Sequence, residues 1–215
     1  MQNEDLIEQL SAAVRPVDAQ RWPRRVLIGL GLSSAIIGLA VVFGLSLRPD
    51  LSAWTVNPAM QMKSAYTLGL SLAGTLGFLA LSQPLGRYGV SLILTALFVV
   101  FAGCLALNEL VYFTPEAIKR AWMAPSWAFC MGTIWALSLP VLTAAIWLMR
   151  QRAPVHPLQA GLACGLLAGA LAASAYSLHC TEDSALFLFS WYTLGLGISG
   201  LTGAIAGHFA LRWRF

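Results

Sequence analysis

The chain has 215 residues, 58% of them hydrophobic and only 10% charged, with a formal net charge of +4. A soluble domain carries roughly 25% charged residues, so this composition excludes an aqueous core and places the chain in the membrane class. Four cysteines without C-x-x-C or zinc-finger spacing exclude a soluble metal-binding module, and no basic stripe with interleaved aromatics offers a nucleic-acid surface.

Residues 1–25 are the one sizeable polar segment, and they are patterned. Asn3 is a good N-cap, and Glu4 and Asp5 suit the positive end of a helix dipole. Leu6, Ile7, Leu10, Ala13 and Val14 then recur at helical spacing until Pro16 ends the run. This predicts one amphipathic helix of about three turns, too short to be stable alone in water. Acidic Glu4, Asp5 and Glu8 disfavour rest on an anionic leaflet, so the pattern favours docking on a protein partner.

Residues 26–215 read as a transmembrane domain of six spans: Val26 to Leu47, Ala65 to Leu81, Val90 to Leu107, Trp127 to Met149, Leu158 to Leu178 and Leu186 to Leu211. In hydrocarbon every backbone amide needs a partner within the chain, so these runs are helices and the fold class is all-α. The first span is too long for a signal-peptide core and reads as a retained anchor. With both termini inside, Arg15, Arg21, Arg24, Arg25, Arg87, Arg150, Arg152, Arg212 and Arg214 lie on the cytoplasmic side, against Arg48, Lys63, Lys119 and Arg120 outside. That excess accords with the positive-inside rule. No charged residue falls deep in any of these spans, which weighs against an ion-coupled transporter.

Pro140 should kink the fourth span. Gly161, Gly165, Gly169, Ala173 and Ser177 in the fifth, and Gly195, Ser199, Gly203 and Gly207 in the sixth, form small-residue stripes that let two backbones approach closely. Trp54, Trp122, Trp127, Trp191, Tyr192 and Trp213 read as interfacial anchors, His208 as an interfacial residue and His156 as a turn residue.

By depth, Cys164 lies toward the inner end of its span, whereas Cys104, Cys130 and Cys180 come out near the external surface, with Cys180 the most exposed. Thiols at that level can form a disulfide in an oxidising compartment. His179, Cys180 and Glu182, with Cys130 at the same depth, can equally hold a thiophilic cation, and an ordinary polar hairpin remains open beside both readings. No base and oxyanion site accompany the thiols, so no enzyme is expected.

Tyr176, His179, Cys180 and Glu182, then Phe187, Trp191, Tyr192, Gly195, Gly203 and Ala204, resemble the NrsF family of six-span anti-sigma factors of the bacterial inner membrane. Leu139 to Leu142, Trp147 to Arg150, and Asp5 to Val17 look like the same family, so the likeness covers essentially the whole chain. It implies a tail, residues 1–25, that holds an extracytoplasmic-function sigma factor through Leu6, Ile7, Leu10 and Val14. It also implies two characteristic cysteines, similar in placement to Cys130 and Cys180, that answer heavy metal or oxidation; the residue pattern adds His179 and Glu182 as further candidate ligands. On this reading no cofactor is required, a metal ion enters only as signal, lipid is the other partner and nucleic acid is not touched directly. A small-solute or metal transporter, or a non-signalling subunit of a membrane complex, is the competing expectation.

Overall fold

A computed structural model describes Glu8, residues 21–83 and residues 86–212. Helix α1 spans Arg21–Ala40 and continues through a widened π turn, Val41–Leu45. A short 3-10 turn at Leu51–Thr55 leads to α2 (Pro58–Leu81), followed by α3 (Gly89–Tyr112), the short α4 (Pro115–Trp122), α5 (Trp127–Arg150), α6 (Pro157–Tyr176) and α7 (Ala185–Ala210), whose second turn, Leu188–Tyr192, is again a π turn. Among the described residues there is no strand, and six helices are long and apolar enough to cross a membrane. The all-α six-span expectation holds. The tail residues Leu6, Ile7, Leu10 and Val14, and Trp213, lie outside the described residues; Glu8 is helical and exposed.

Helix α6 is the axis of the bundle, with 61% of its span buried against 22% for α1 and 17% for α3. It packs most extensively on α7, then on α2 and α5. Small residues make this possible. A Cβ placed on Gly161 would lie 2.7 Å from the Gly207 Cα, and one on Gly165 would lie 2.8 Å from the Gly200 Cα, so the two backbones touch where side chains would stand. Hydroxyl pairs add directional contacts between helices: Ser71 with Ser174 at 3.1 Å and Tyr66 with Thr193 at 2.6 Å. The expected close-packing stripes are therefore real, and Pro140 sits inside a helix that runs on through it.

Three expectations are corrected. The second helix begins at Pro58, not Ala65, because Asn57 caps it by accepting from the Ala59 and Met60 amides and Pro58 occupies its first turn. Lys63, expected in an outer loop, is thereby inside a helix and only 2% exposed. Tyr192 is no interfacial anchor: it is fully buried, turned inward by the π turn that carries it. The polar stretch before α5 also holds an unexpected helix, α4, capped by Thr114 with Pro115 at its start, Glu116 in its first turn and Lys119 and Arg120 in its last.

The helices gather two polar ends. The tail end, where α1 begins, brings Trp22 against Phe78 and under Arg152. The distal end gathers the start of α2, the end of α3, the start of α5 and the turn between α6 and α7.

Candidate functional site at the distal end

The turn joining α6 to α7, residues 177–184, is the centre of the distal end. His179 and Cys180 close the end of α6 by donating their amides to the Tyr176 carbonyl at 2.9 and 3.1 Å. This folds Cys180 back into the bundle, where it meets Cys130 from the first turn of α5. The two thiols are close enough to shift each other's ionisation, with the Tyr176 hydroxyl beside Cys130. The Tyr192 hydroxyl reaches toward the Cys180 sulfur yet has no partner at good hydrogen-bond geometry among the described residues. Cys180 is 4% exposed and Cys130 fully buried. The expectation that Cys180 is the most exposed is thus overturned by the fold-back; the exposed cysteine is Cys104 on α3, while Cys164 is buried within α6.

Two buried cations support this turn. Lys63 donates to the Cys180 carbonyl at 3.0 Å and the Glu182 carbonyl at 2.5 Å, and stands 3.6 Å from Asp183. Arg48 donates to Asp50 at 2.7 and 2.8 Å, to Asp183 at 3.0 and 3.1 Å, and to the Cys180 carbonyl at 3.2 Å. A lone buried cation would be costly, and these bonds offset that cost. The Asp50 bond, with help from Asp183, holds the Arg48 guanidinium charged despite its burial. The Cys180 thiol is held below its ordinary value, first by the hydrogen bond from Cys130 and then, against the effect of burial, by nearby Lys63.

The remaining expected ligands are engaged elsewhere. His179 Nδ1 meets the Ser46 carbonyl at 2.8 Å, and Glu182 accepts from the Ser126 hydroxyl at 2.9 Å. Among the described residues no group of three or more histidine, cysteine or acidic side chains is arranged to hold a metal ion. The structure therefore joins Cys130 with Cys180, and sets His179 and Glu182 in the same turn but facing other partners.

Residues 10–213 match the family described as NrsF, negative regulator of sigma F. The chain belongs to this family. Similar proteins over the full length are the anti-sigma-F factor NrsF of Caulobacter vibrioides (strain NA1000 / CB15N), 36% identical over 216 residues covering 99% of this chain and 100% of the relative. The probable anti-sigma-F factor NrsF of Azospira oryzae (strain ATCC BAA-33 / DSM 13638 / PS) is 33% identical over 215 residues, with the same coverage of both chains. No solved structure matches. The NrsF resemblance read from the sequence holds, and with it a regulatory rather than a catalytic class of protein.

The NrsF-family reading brings the cysteines into view, but Arg48, Lys63, Glu109 and Tyr192 emerge only from the structure. Lys63 alone carried a readable signal: the Asn57 and Pro58 helix start places it inside a helix rather than before one.

Proposed function

We propose that the protein is a membrane-bound anti-sigma factor whose tail holds an extracytoplasmic-function sigma factor in the cytoplasm and releases it when heavy metal or oxidant acts on Cys130 and Cys180. It resides in the bacterial inner membrane with both termini cytoplasmic, so the tail end faces the cytoplasm and the distal end the periplasm. Family membership supports the sigma-factor partner. The observation that carries the sensing claim is the proximity of the two buried thiols at one end of the bundle.

Leu6, Ile7, Leu10 and Val14 bury against the sigma factor, each contributing about 1.5–3 kcal/mol of gross apolar transfer before ordering costs. At the distal end a soft cation bridges two thiolates, or an oxidant takes two electrons and two protons from the thiols and leaves a disulfide. His179 and Glu182 are close enough along the chain to be recruited, provided they leave Ser46 and Ser126.

The experiment is a sigma-dependent reporter in cells carrying Cys130→Ser and Cys180→Ser, together with a pull-down of the sigma factor by the full chain. The response to metal and oxidant should disappear in the cysteine variants, and Leu10→Glu should abolish the pull-down. An unaltered response removes the sensing claim, and unaltered capture by Leu10→Glu removes the docking claim.

A further inference from the structure

A signal arising at Cys180 must reach the start of α1 at Arg21, where the tail segment joins the bundle, and the helices that touch the α6–α7 turn are unequal to that task. Helices α6 and α7 are locked backbone to backbone by their glycines, so neither slides along the other without clashes. Helix α2 meets the turn through Lys63 and at its far end packs Phe78 against Trp22, so it reaches the tail segment only by way of α1. Only α1 both touches the turn and runs on, at Arg21, directly into the tail segment.

The way α1 is held fits such a role. Its distal tip is fastened to the turn at three places: the Arg48 amide donates to the Leu178 carbonyl at 3.0 Å, the Arg48 guanidinium grips Asp183, and the Ser46 carbonyl meets His179. Its other tip rests on Trp22 stacked against Phe78 at 6.2 Å and on Arg25 donating to Gln151 at 2.9 Å. Between the tips it is seated along one face only, through Ile37 and Val41, with 22% of its span buried, and a Cβ on Gly31 or Gly38 would meet nothing within 4 Å. Just before the fastened tip lie the π turn and then Ser46 at φ 69°, a left-handed conformation that non-glycine residues rarely adopt. A widened turn beside a strained residue persists only while the surrounding contacts hold it.

We propose that α1 is the element that carries the state of the thiol site to the tail, and that Arg48, gripped by Asp183, is the positioning residue that joins the two. The proposal rests on the anti-sigma reading above. Fastened, α1 holds the tail in its sigma-binding position; any ligand that draws the turn's backbone or His179 toward the sulfurs loosens the fastening and frees α1 to shift.

Two experiments test it in the full chain in cells. In the first, Arg48→Gln, Asp183→Asn and the double variant are compared at matched membrane abundance. Each single variant should raise uninduced reporter output on the order of tenfold, the double variant should exceed neither, since both break one pair, and Arg48→Lys should restore part of the repression. In the second, which leaves residues 21–212 unaltered, a Gly-Ser-Gly-Ser segment is inserted between Gln20 and Arg21. The inserted protein should still capture the sigma factor yet no longer release it on addition of Hg2+. Wild-type repression in the Arg48 and Asp183 variants, or a full Hg2+ response with the insertion, overturns the proposal while leaving the anti-sigma reading intact. Failure of that reading has a different sign: the wild-type chain then captures no sigma factor, and both fall together.

Discussion

Glu109 shows how one carboxylate organises a distant helix. From the end of α3 it accepts from the Ser184 hydroxyl at 2.5 Å and from the Ala185 and Leu186 amides at 2.7 and 2.9 Å, so it satisfies the two amides that the Ser184 cap, engaged with the Phe187 amide, leaves open. Glu109→Ala should destabilise the detergent-solubilised protein by about 2–3 kcal/mol, and Glu109→Gln by about 1 kcal/mol, read from chemical unfolding. Asp50 and Asp183 are held below the ordinary carboxylate range. Arg48 does this for Asp50, and for Asp183 burial opposes but Arg48 and Lys63 prevail. A carboxyl depressed in the folded state adds stability that is complete above its unfolded pKa and is lost as pH falls through the folded one. In Cys180→Ser, where the depressed thiol no longer adds its own loss between about pH 9 and pH 6, the melting temperature should therefore be level from about pH 8 to pH 5 and fall below about pH 4. Asp183→Asn should lower the plateau and make the acid fall shallower.

Between elements, the α6–α7 contact divides the glycines into two classes. Gly203 has the Gly165 Cα where its own Cβ would stand, at 2.6 Å, whereas Gly197 meets nothing within 4 Å. Gly203→Val should cost on the order of 3 kcal/mol or prevent accumulation in the membrane, while Gly197→Ala should leave the melting temperature unchanged or slightly raised. This contact was legible in the sequence because four-residue spacing of small residues is a local property of each helix. The helix start at Pro58 and the helix α4 were just as local, through Asn57-Pro58 and Thr114-Pro115-Glu116, but low hydropathy masked both. The π turns were not legible, since no residue type specifies an extra residue in a turn.

At the scale of the whole molecule, six spans could be counted from apolar length alone, and the two relevant cysteines could be set at one depth. The cations beneath them could not. Lys63 and Arg48 meet residues 180–183, more than a hundred positions away, and that meeting depends on how the last hairpin folds back. The topology has its own check. In intact cells a membrane-impermeant maleimide should modify Lys119→Cys near the distal end and spare Gln151→Cys near the tail end, in a background lacking the native cysteines. Labelling of both from one side would remove the separation of sensor and tail on which the proposed signalling depends.

Lys63 also bears on how the chain is made. Its hydrogen-bonding and ionic partners, the Cys180 and Glu182 carbonyls and Asp183, all belong to the segment synthesised last before the final helix. While the ribosome is still producing α3 to α6, an ammonium group sits within the second inserted helix without the hydrogen-bonding partners it has in the folded chain. Arrival of the closing hairpin ends that exposure, so a product truncated after Tyr176 should be recognised by membrane proteases and cleared, while the completed chain escapes them.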